Sequence, residues 1–120
     1  MKRLFFLLAL VPIGYYIASP TDTALVCNVH TRYIDTGTES NRTISLRIRK
    51  GLVGNILYYN GVQYNADINN YRVSVTKIDA YRSVYIGYDT ISHQLSYNES
   101  SHNSSYRRIE QGTCTRATVH

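Results

Sequence analysis

Residues 52–66 read LVGNILYYNGVQYNA, two apolar-rich runs separated by Asn60-Gly61. Asn and Gly both tolerate positive φ, which a type I′ turn requires at its two central positions. The dipeptide therefore predicts a β-hairpin in which Tyr59 lies opposite Val62. The neighbouring pairs of this register are Tyr58 with Gln63 and Leu57 with Tyr64.

The remainder of the chain after residue 20 is typical of further short strands around this hairpin. The clearest is 43–49, where Ile44, Leu46 and Ile48 alternate with polar residues, as in a half-buried strand. Strands are also predicted at 25–33, 62–68, 71–78, 82–88, 91–97 and 106–115, with polar loops at 35–41 and 98–105. Seven to eight strands without helical periodicity predict an all-β fold, a small antiparallel barrel or sandwich over about residues 25–115.

An N-terminal membrane or signal helix is predicted at residues 1–20, ahead of an exported β domain at 21–120. Lys2-Arg3 precedes the apolar segment 4–18, and this charge order directs export. The chain is therefore expected at the bacterial inner membrane, facing the periplasm, or free in the periplasm if the leader is removed.

The choice between a cleaved leader and an uncleaved anchor depends on the end of the apolar segment. Cleavage after Ala18 would place bulky Tyr16 at the −3 position, a poor match to a small-residue site. Fifteen helical residues span roughly 22 Å, less than the ~30 Å hydrocarbon core, although Tyr15 and Tyr16 suit the headgroup level. The anchor is favoured.

Two cysteines, Cys27 and Cys114, lie near the two ends of the exported domain. Export places them in an oxidising compartment, where two such cysteines usually form a disulfide. Because they belong to the first and last predicted strands, the disulfide would join the edges at which an open sheet is exposed.

Charge and motif content argue against several classes of function. Without Lys2 and Arg3 the chain has 11 basic and 8 acidic side chains, a mild excess that does not indicate nucleic acid binding. The acids are scattered and mostly in predicted turns, and the four histidines show no metal-binding spacing. The sequence predicts no enzyme activity, cofactor, metal site or small-molecule substrate.

Tyrosine is abundant in the exported domain, which contains no Trp. Tyr forms strands well and fills half-buried sheet faces, so most of these residues are expected to have structural roles. The alternative is a recognition surface, since Tyr is enriched at binding hot spots. Its predicted members are Arg72, Tyr81, Arg82, Tyr85 and Tyr88, and the predicted partner is another exported or envelope protein.

Several short features extend over most of the chain. They are the apolar N-terminal segment, Leu25-Val26-Cys27, residues 51–61 (GLVGNILYYNG), the Tyr/Arg/Val strand after them and a cysteine near the C-terminus. In this arrangement the chain resembles the FidL-like family of enterobacterial membrane proteins. The resemblance implies a membrane location and an all-β fold, and it implies no activity.

A second resemblance concerns the hairpin. Gly61 and Tyr64 match the Ser-Gly-x-x-Tyr loop of the C-type periplasmic lysozyme inhibitors, which are small disulfide-closed β-barrels. It implies an alternative function, inhibition of a lysozyme-type muralytic enzyme through Tyr59, Asn60, Gly61 and Tyr64. Asn60 departs from the loop's serine, and the positive net charge opposes binding to a cationic lysozyme.

Overall fold

The computed structural model, which describes residues 21–117, contains the hairpin predicted at Asn60-Gly61. Both central residues have positive φ, 49° for Asn60 and 89° for Gly61, as a type I′ turn requires. Tyr59 pairs with Val62, and the next pairs along the hairpin are also as predicted. The local sequence therefore determines both the turn and the register.

Eight antiparallel strands form a closed barrel in which each strand pairs with the next and the last pairs with the first. The strands are β1 (Thr21–Tyr33), β2 (Thr38–Lys50), β3 (Asn55–Tyr59), β4 (Val62–Asn69), β5 (Arg72–Ile78), β6 (Arg82–Asp89), β7 (Gln94–Ser101) and β8 (Arg107–Arg116). The all-β prediction is confirmed, and of its two alternatives, a barrel and a sandwich, the structure is the barrel.

The hydrophobic core fills the barrel because alternate residues of each strand point inward. On β2 these are the predicted Ile44, Leu46 and Ile48, all at most 4% exposed. Leu57 of β3 and Val73 of β5 are fully buried at the centre. The outward positions between them are mostly polar.

The predicted disulfide between Cys27 and Cys114 is present and joins β1 to β8, the two strands whose pairing closes the barrel. They lie opposite each other on β1 and β8 and form a disulfide across 87 residues of sequence. A loop of this length corresponds to about 4–5 kcal/mol of stabilisation on the chain-entropy model. Gly112 allows β1 and β8 to approach this closely, since a Cβ at that position would lie 1.9 Å from the Asn28 carbonyl oxygen.

Two predicted loops were too long. Residues 38–41 continue β2 and residues 98–101 continue β7, because each pairs with a neighbouring strand despite its polar sequence. Conversely, the strand predicted from residue 91 begins at Gln94, and Ile91 is an exposed loop residue.

The barrel has two ends. At the terminal end, β1 begins and β8 finishes, and the loops are 51–54, 70–71 and 90–93. At the distal end, the loops are 34–37, 60–61, 79–81 and 102–106. The helix predicted at residues 1–20 lies outside the described residues. Residues 21–117 contain no helix with the length and hydropathy needed to cross a membrane.

Candidate functional site

A buried carboxylate, Glu110, lies inside the distal half of the barrel and has no exposed surface. The Arg42 guanidinium donates two hydrogen bonds to it, from Nε to Oε2 at 2.7 Å and from Nη2 to Oε1 at 2.9 Å. The Thr31 hydroxyl donates to Oε2 at 2.7 Å, and the Tyr59 hydroxyl donates to Oε1 at 3.0 Å. Both oxygens of Glu110 therefore have hydrogen-bond donors.

These contacts decide the protonation state of Glu110. Burial opposes its ionisation, but hydrogen bonds from Arg42 and Thr31 and the positive charges of Arg42 and Arg108 outweigh burial and lower its pKa. Burial and the nearby Glu110 charge raise the pKa of Tyr59. A general acid at neutral pH needs a raised carboxyl pKa, so Glu110 is placed as a charged acceptor and is poorly suited to proton donation.

A second inward carboxylate, Glu99, continues these contacts toward the distal mouth. It accepts a hydrogen bond from Arg82 Nη1 at 2.7 Å, and Arg108 Nη2 lies 3.5 Å away. The Arg108 guanidinium also lies 4.8 Å from the centre of the Tyr97 ring, which stacks on Tyr59 at 4.5 Å. We call this set the distal network. It fills the distal half of the barrel with paired charges and rings.

Glu110 is a buried residue that the sequence interpretation misses, because that interpretation treats it only as one of several scattered acids. The signal that could have found it is the alternation of inward and outward residues along the strand, counted from Cys114. If Cys114 points inward to meet Cys27, then Glu110, four residues earlier on the same strand, also points inward, opposite Thr31. Ile109, the one aliphatic residue of the predicted strand 106–115, has the other parity and faces outward.

The predicted site residues divide between the interior and the surface. Tyr59, Tyr64 and Tyr88 are buried inside the barrel, and the Tyr88 hydroxyl lies 2.9 Å from Nδ1 of His93. Tyr88 is therefore not on one face with Tyr85, because the two residues are three apart on a strand. Arg82 belongs to the distal network and is half exposed.

Exposed members of the predicted site occur at the distal loops and on the outer wall. Asn60, Gly61 and Tyr81 lie in the distal turns. The turn at Asn60 does not project beyond the neighbouring strand β2, since the backbone N–H of Asn60 donates to the Ser45 carbonyl oxygen of β2 at 2.7 Å. On the outer wall, Arg72 and Tyr85 line one groove.

This groove runs across the outward face of β5 to β8, and we call it the outer groove. Its floor is a row of small or flexible residues that adjoin in register: Ser74, Gly87, Ser96 and Gln111. One wall is the row Arg72, Asp89, Gln94 and Thr113, and the other is Thr76, Tyr85, Asn98 and Ile109. Two cavities of about 580 and 420 Å³ share three of the four floor residues, Gly87, Ser96 and Gln111, so the groove is continuous.

Gly87 matters for the shape of the groove. A Cβ at this position would lie 2.6 Å from Nη2 of Arg72, so the missing side chain leaves space for the guanidinium over the floor. At the far end of the groove, His30 lies with Nδ1 2.8 Å from Asn41 Oδ1 and Nε2 3.0 Å from Glu39 Oε1, two oxygens that can only accept. Hydrogen bonds to Glu39 and Asn41 raise the pKa of His30.

Most polar side chains of the groove have no hydrogen-bond partner among the described residues. Within residues 21–117, the side chains of Arg72, Ser74, Gln94, Ser96 and Gln111 make no hydrogen bond, although Arg72 lies opposite Asp89 in register and its charge helps to lower the pKa of Asp89. A hydroxyl or amide can both donate and accept, and a guanidinium presents five donors. The groove can therefore hold a polar ligand that carries both donors and acceptors.

No group of three or more His, Cys, Asp or Glu side chains within residues 21–117 is arranged to hold a metal ion.

In comparisons with known proteins, no family model, curated protein or solved structure matches the chain.

Proposed function

We propose that this chain is a non-enzymatic, exported envelope protein that is held at the inner membrane by residues 4–18 and binds another exported protein in the outer groove. The observation that carries the proposal is the groove itself. Each of its two cavities has a volume in the range of ligand sites, and five of its polar side chains (Arg72, Ser74, Gln94, Ser96 and Gln111) make no side-chain hydrogen bond within residues 21–117. The disulfide supports export to an oxidising compartment.

The lining of the groove suggests what part of a partner it contacts. Side-chain amides such as Gln94 and Gln111 match the donor and acceptor pattern of a peptide backbone. Arg72 is suited to a carboxylate, since a guanidinium binds carboxylates with two parallel hydrogen bonds. Tyr85 is 46% exposed at the wall and offers a rigid aromatic contact. The expected ligand is an extended, polar segment with an acidic side chain.

Site-specific photo-crosslinking in the exporting cell tests the groove. A photo-reactive phenylalanine analogue replaces Gln94 or Gln111 in the groove, and the matched control carries it at Gln63, an exposed glutamine on β4. We expect one discrete adduct from the groove positions and none from position 63. Equal adducts at all three positions would mean that the groove is not the binding surface.

A charge variant then tests the chemistry. Loss of a charge-assisted hydrogen bond costs about 1.5–3 kcal/mol, so Arg72→Ala should weaken binding of the crosslinked partner at least about tenfold. Arg49→Ala, at an exposed arginine outside the groove, is the matched control and should bind normally. Unchanged binding by Arg72→Ala would contradict the proposed role of the guanidinium.

Fractionation tests the location. An uncleaved anchor predicts a full-length chain in the membrane fraction, whereas a shortened chain in the periplasmic extract would contradict the anchor and leave the binding proposal intact.

Inhibition of a muralytic enzyme by the Asn60-Gly61 turn remains the alternative prediction. Of its three proposed contact side chains, Asn60 is exposed, whereas Tyr59 and Tyr64 are at most 7% exposed. Micromolar protein added to a panel of muralytic enzymes tests it. Loss of enzyme activity that disappears when Asn60-Gly61 is replaced would support the inhibitor function over the groove.

A further inference from the structure

The terminal end of the barrel carries exposed apolar side chains at the tips of all three of its loops. Leu52 and Val53 in loop 51–54 are 72% and 104% exposed. Tyr71 in the β4–β5 turn is 51% exposed, and Ile91 in loop 90–93 is 69% exposed. Loops are expected to expose polar residues, so an apolar tip on each of three separate loops needs a reason.

These loops surround a common opening. A cavity of about 250 Å³ is lined by residues from the start of β1, the end of β2, the β4–β5 turn and the β6–β7 loop, including Thr23, Lys50, Asn70 and Thr90. The three loop tips therefore belong to one end surface. Ile91 is held in its loop by Asp89, whose carboxylate accepts the backbone N–H groups of Ile91 and Ser92 at 2.8 and 3.0 Å.

Charge distinguishes this end from the distal end, which also exposes apolar residues. The terminal loops themselves contain no carboxylate, and Lys50 and Arg116 border them. Two acids also border them, but Asp22 is paired with Arg47 and Asp89 is bonded to the backbone of loop 90–93. The distal loops contain Asp35 and Asp79. An apolar surface whose loops lack acids, and whose bordering carboxylates are already bonded within the protein, is suited to a lipid surface with anionic headgroups.

The length of chain before the barrel points to the same surface. Thr21 begins β1 directly opposite Lys50, beside loop 51–54. Only Ser19 and Pro20 separate Thr21 from the apolar segment 4–18. Three residue steps span at most about 11 Å, so a membrane that holds residues 4–18 lies within that distance of the start of β1.

We propose that the terminal end is a membrane-docking surface, in which Leu52, Val53, Tyr71 and Ile91 enter the headgroup region of the membrane that holds residues 4–18. This inference rests on the anchor in the proposed function. Lys50 and Arg116 contact lipid phosphates, and the Tyr71 ring occupies the interface, where aromatic residues are favoured. The barrel is thereby oriented with its distal end away from the bilayer.

Single tryptophan variants test the docking, because the native chain contains no Trp and each introduced indole reports alone. The full chain carries Val53→Trp or Ile91→Trp at the terminal end. The matched controls are Val62→Trp and Ile78→Trp, which replace apolar residues of 52% and 61% exposure at the distal end. Each variant is reconstituted in vesicles of phosphatidylcholine and phosphatidylglycerol with lipids brominated near the headgroup.

The expected result is at least threefold stronger bromine quenching at positions 53 and 91 than at positions 62 and 78, with a blue-shifted emission. Co-sedimentation of the chain with vesicles but equal quenching at both ends would overturn the docking and leave the anchor intact. Failure to co-sediment would overturn both. A blue shift that depends on protein concentration and needs no lipid would identify a second copy as the occupant and overturn the proposal.

A loop variant separates docking from the anchor. In the Ile91→Trp chain, Leu52→Ser with Val53→Ser should reduce bromine quenching at least twofold while co-sedimentation persists, since the anchor is unchanged. Unchanged quenching would show that the anchor alone holds this end near the lipid, which would overturn the role of the loop tips.

Discussion

The Glu110 carboxylate carries its charge inside the distal half of the barrel, where it has no exposed surface. Removing such a group from water costs several kcal/mol unless hydrogen bonds and an opposite charge offset the cost. Arg42 supplies both, and its side chain remains 37% exposed, so the guanidinium keeps part of its hydration. The pair is therefore asymmetric: Glu110 depends on Arg42 more than Arg42 depends on Glu110.

Removal of this charge is expected to destabilise the barrel. Glu110→Gln keeps the size of the side chain but turns an amide toward donors that need an acceptor, so we expect the free energy of unfolding to fall by about 2 kcal/mol. Urea unfolding followed by far-UV circular dichroism measures the change.

Glu39→Gln is the matched control. It removes an exposed carboxylate whose partners are His30 and Arg32, where solvent screens the interaction, and a much smaller change is expected. Equal stability of Glu110→Gln and the native chain would show that the distal network contributes no net stability.

The β3–β4 hairpin is the element that its own sequence specifies most completely. Positive φ at two adjacent residues costs a side chain about 1–2 kcal/mol unless the residue is Gly or, less strictly, Asn. Asn60 and Gly61 meet this requirement in order, and the apolar alternation on each side then selects the register.

Substitution within the turn tests this argument. Gly61→Ala should lower the free energy of unfolding by about 1–2 kcal/mol, because φ at this position is 89°. Nothing lies within 4 Å of a Cβ at Gly61, so the cost would come from the backbone and not from a clash. The measurement is urea unfolding of the purified variants.

Gly54→Ala is the matched control for the turn. Gly54 also has open space around its Cβ position but has no positive φ, so a change within about 0.5 kcal/mol is expected. If both alanine variants had the same stability, backbone strain at Gly61 could not be the cause.

Element boundaries depended on information that is not local. Residues 38–41 and 98–101 are polar on both faces, and their sequence is typical of loops. They form strands because β1 and β8 extend alongside them and supply backbone partners, as Arg32 does for Glu39 and Arg108 for Glu99. Alternation predicts strands that have one buried face, and it fails for strands at the open end of a barrel.

At the scale of the whole molecule, the class of fold followed from strand count and spacing, and the disulfide followed from the two cysteines, whereas the choice between barrel and sandwich needed the structure. The distal network and the outer groove could not be predicted in this way. Ser74, Gly87, Ser96 and Gln111 become one floor only through the combined register of four strands. Single small residues in separate strands give no sign of that.

The stability of the barrel should depend on pH in two separate ranges. Hydrogen bonds from backbone N–H groups lower the pKa of Asp79 and Asp89, and a hydrogen bond from Arg47 lowers the pKa of Asp22. Burial opposes the ionisation of Glu110, but hydrogen bonds from Arg42 and Thr31 outweigh burial and lower its pKa. A carboxylate with a lowered pKa stabilises the fold above its unfolded value, here 3.8 or 4.5, and loses that contribution as pH falls through the folded value.

His30 acts in the opposite sense. Its raised pKa adds stability that is complete below the unfolded value of 6.5 and is lost as pH rises through the folded value. We therefore expect maximal stability at about pH 5–6.5, a steep loss toward pH 3 and a small loss above about pH 7. Urea unfolding across this range measures the profile.

Two variants test which residues cause the loss of stability at acid pH and which cause the loss above neutral pH. His30→Gln should abolish the small loss above neutrality and make the acid limb slightly shallower, because the hydrogen bond from His30 is the main cause of the lowered pKa of Glu39. Glu110→Gln should make the acid limb shallower, because one carboxylate no longer takes up a proton on unfolding. An acid limb of unchanged slope in Glu110→Gln would mean that the exposed aspartates, each bonded at a turn or to Arg47, account for the acid sensitivity without the buried charge.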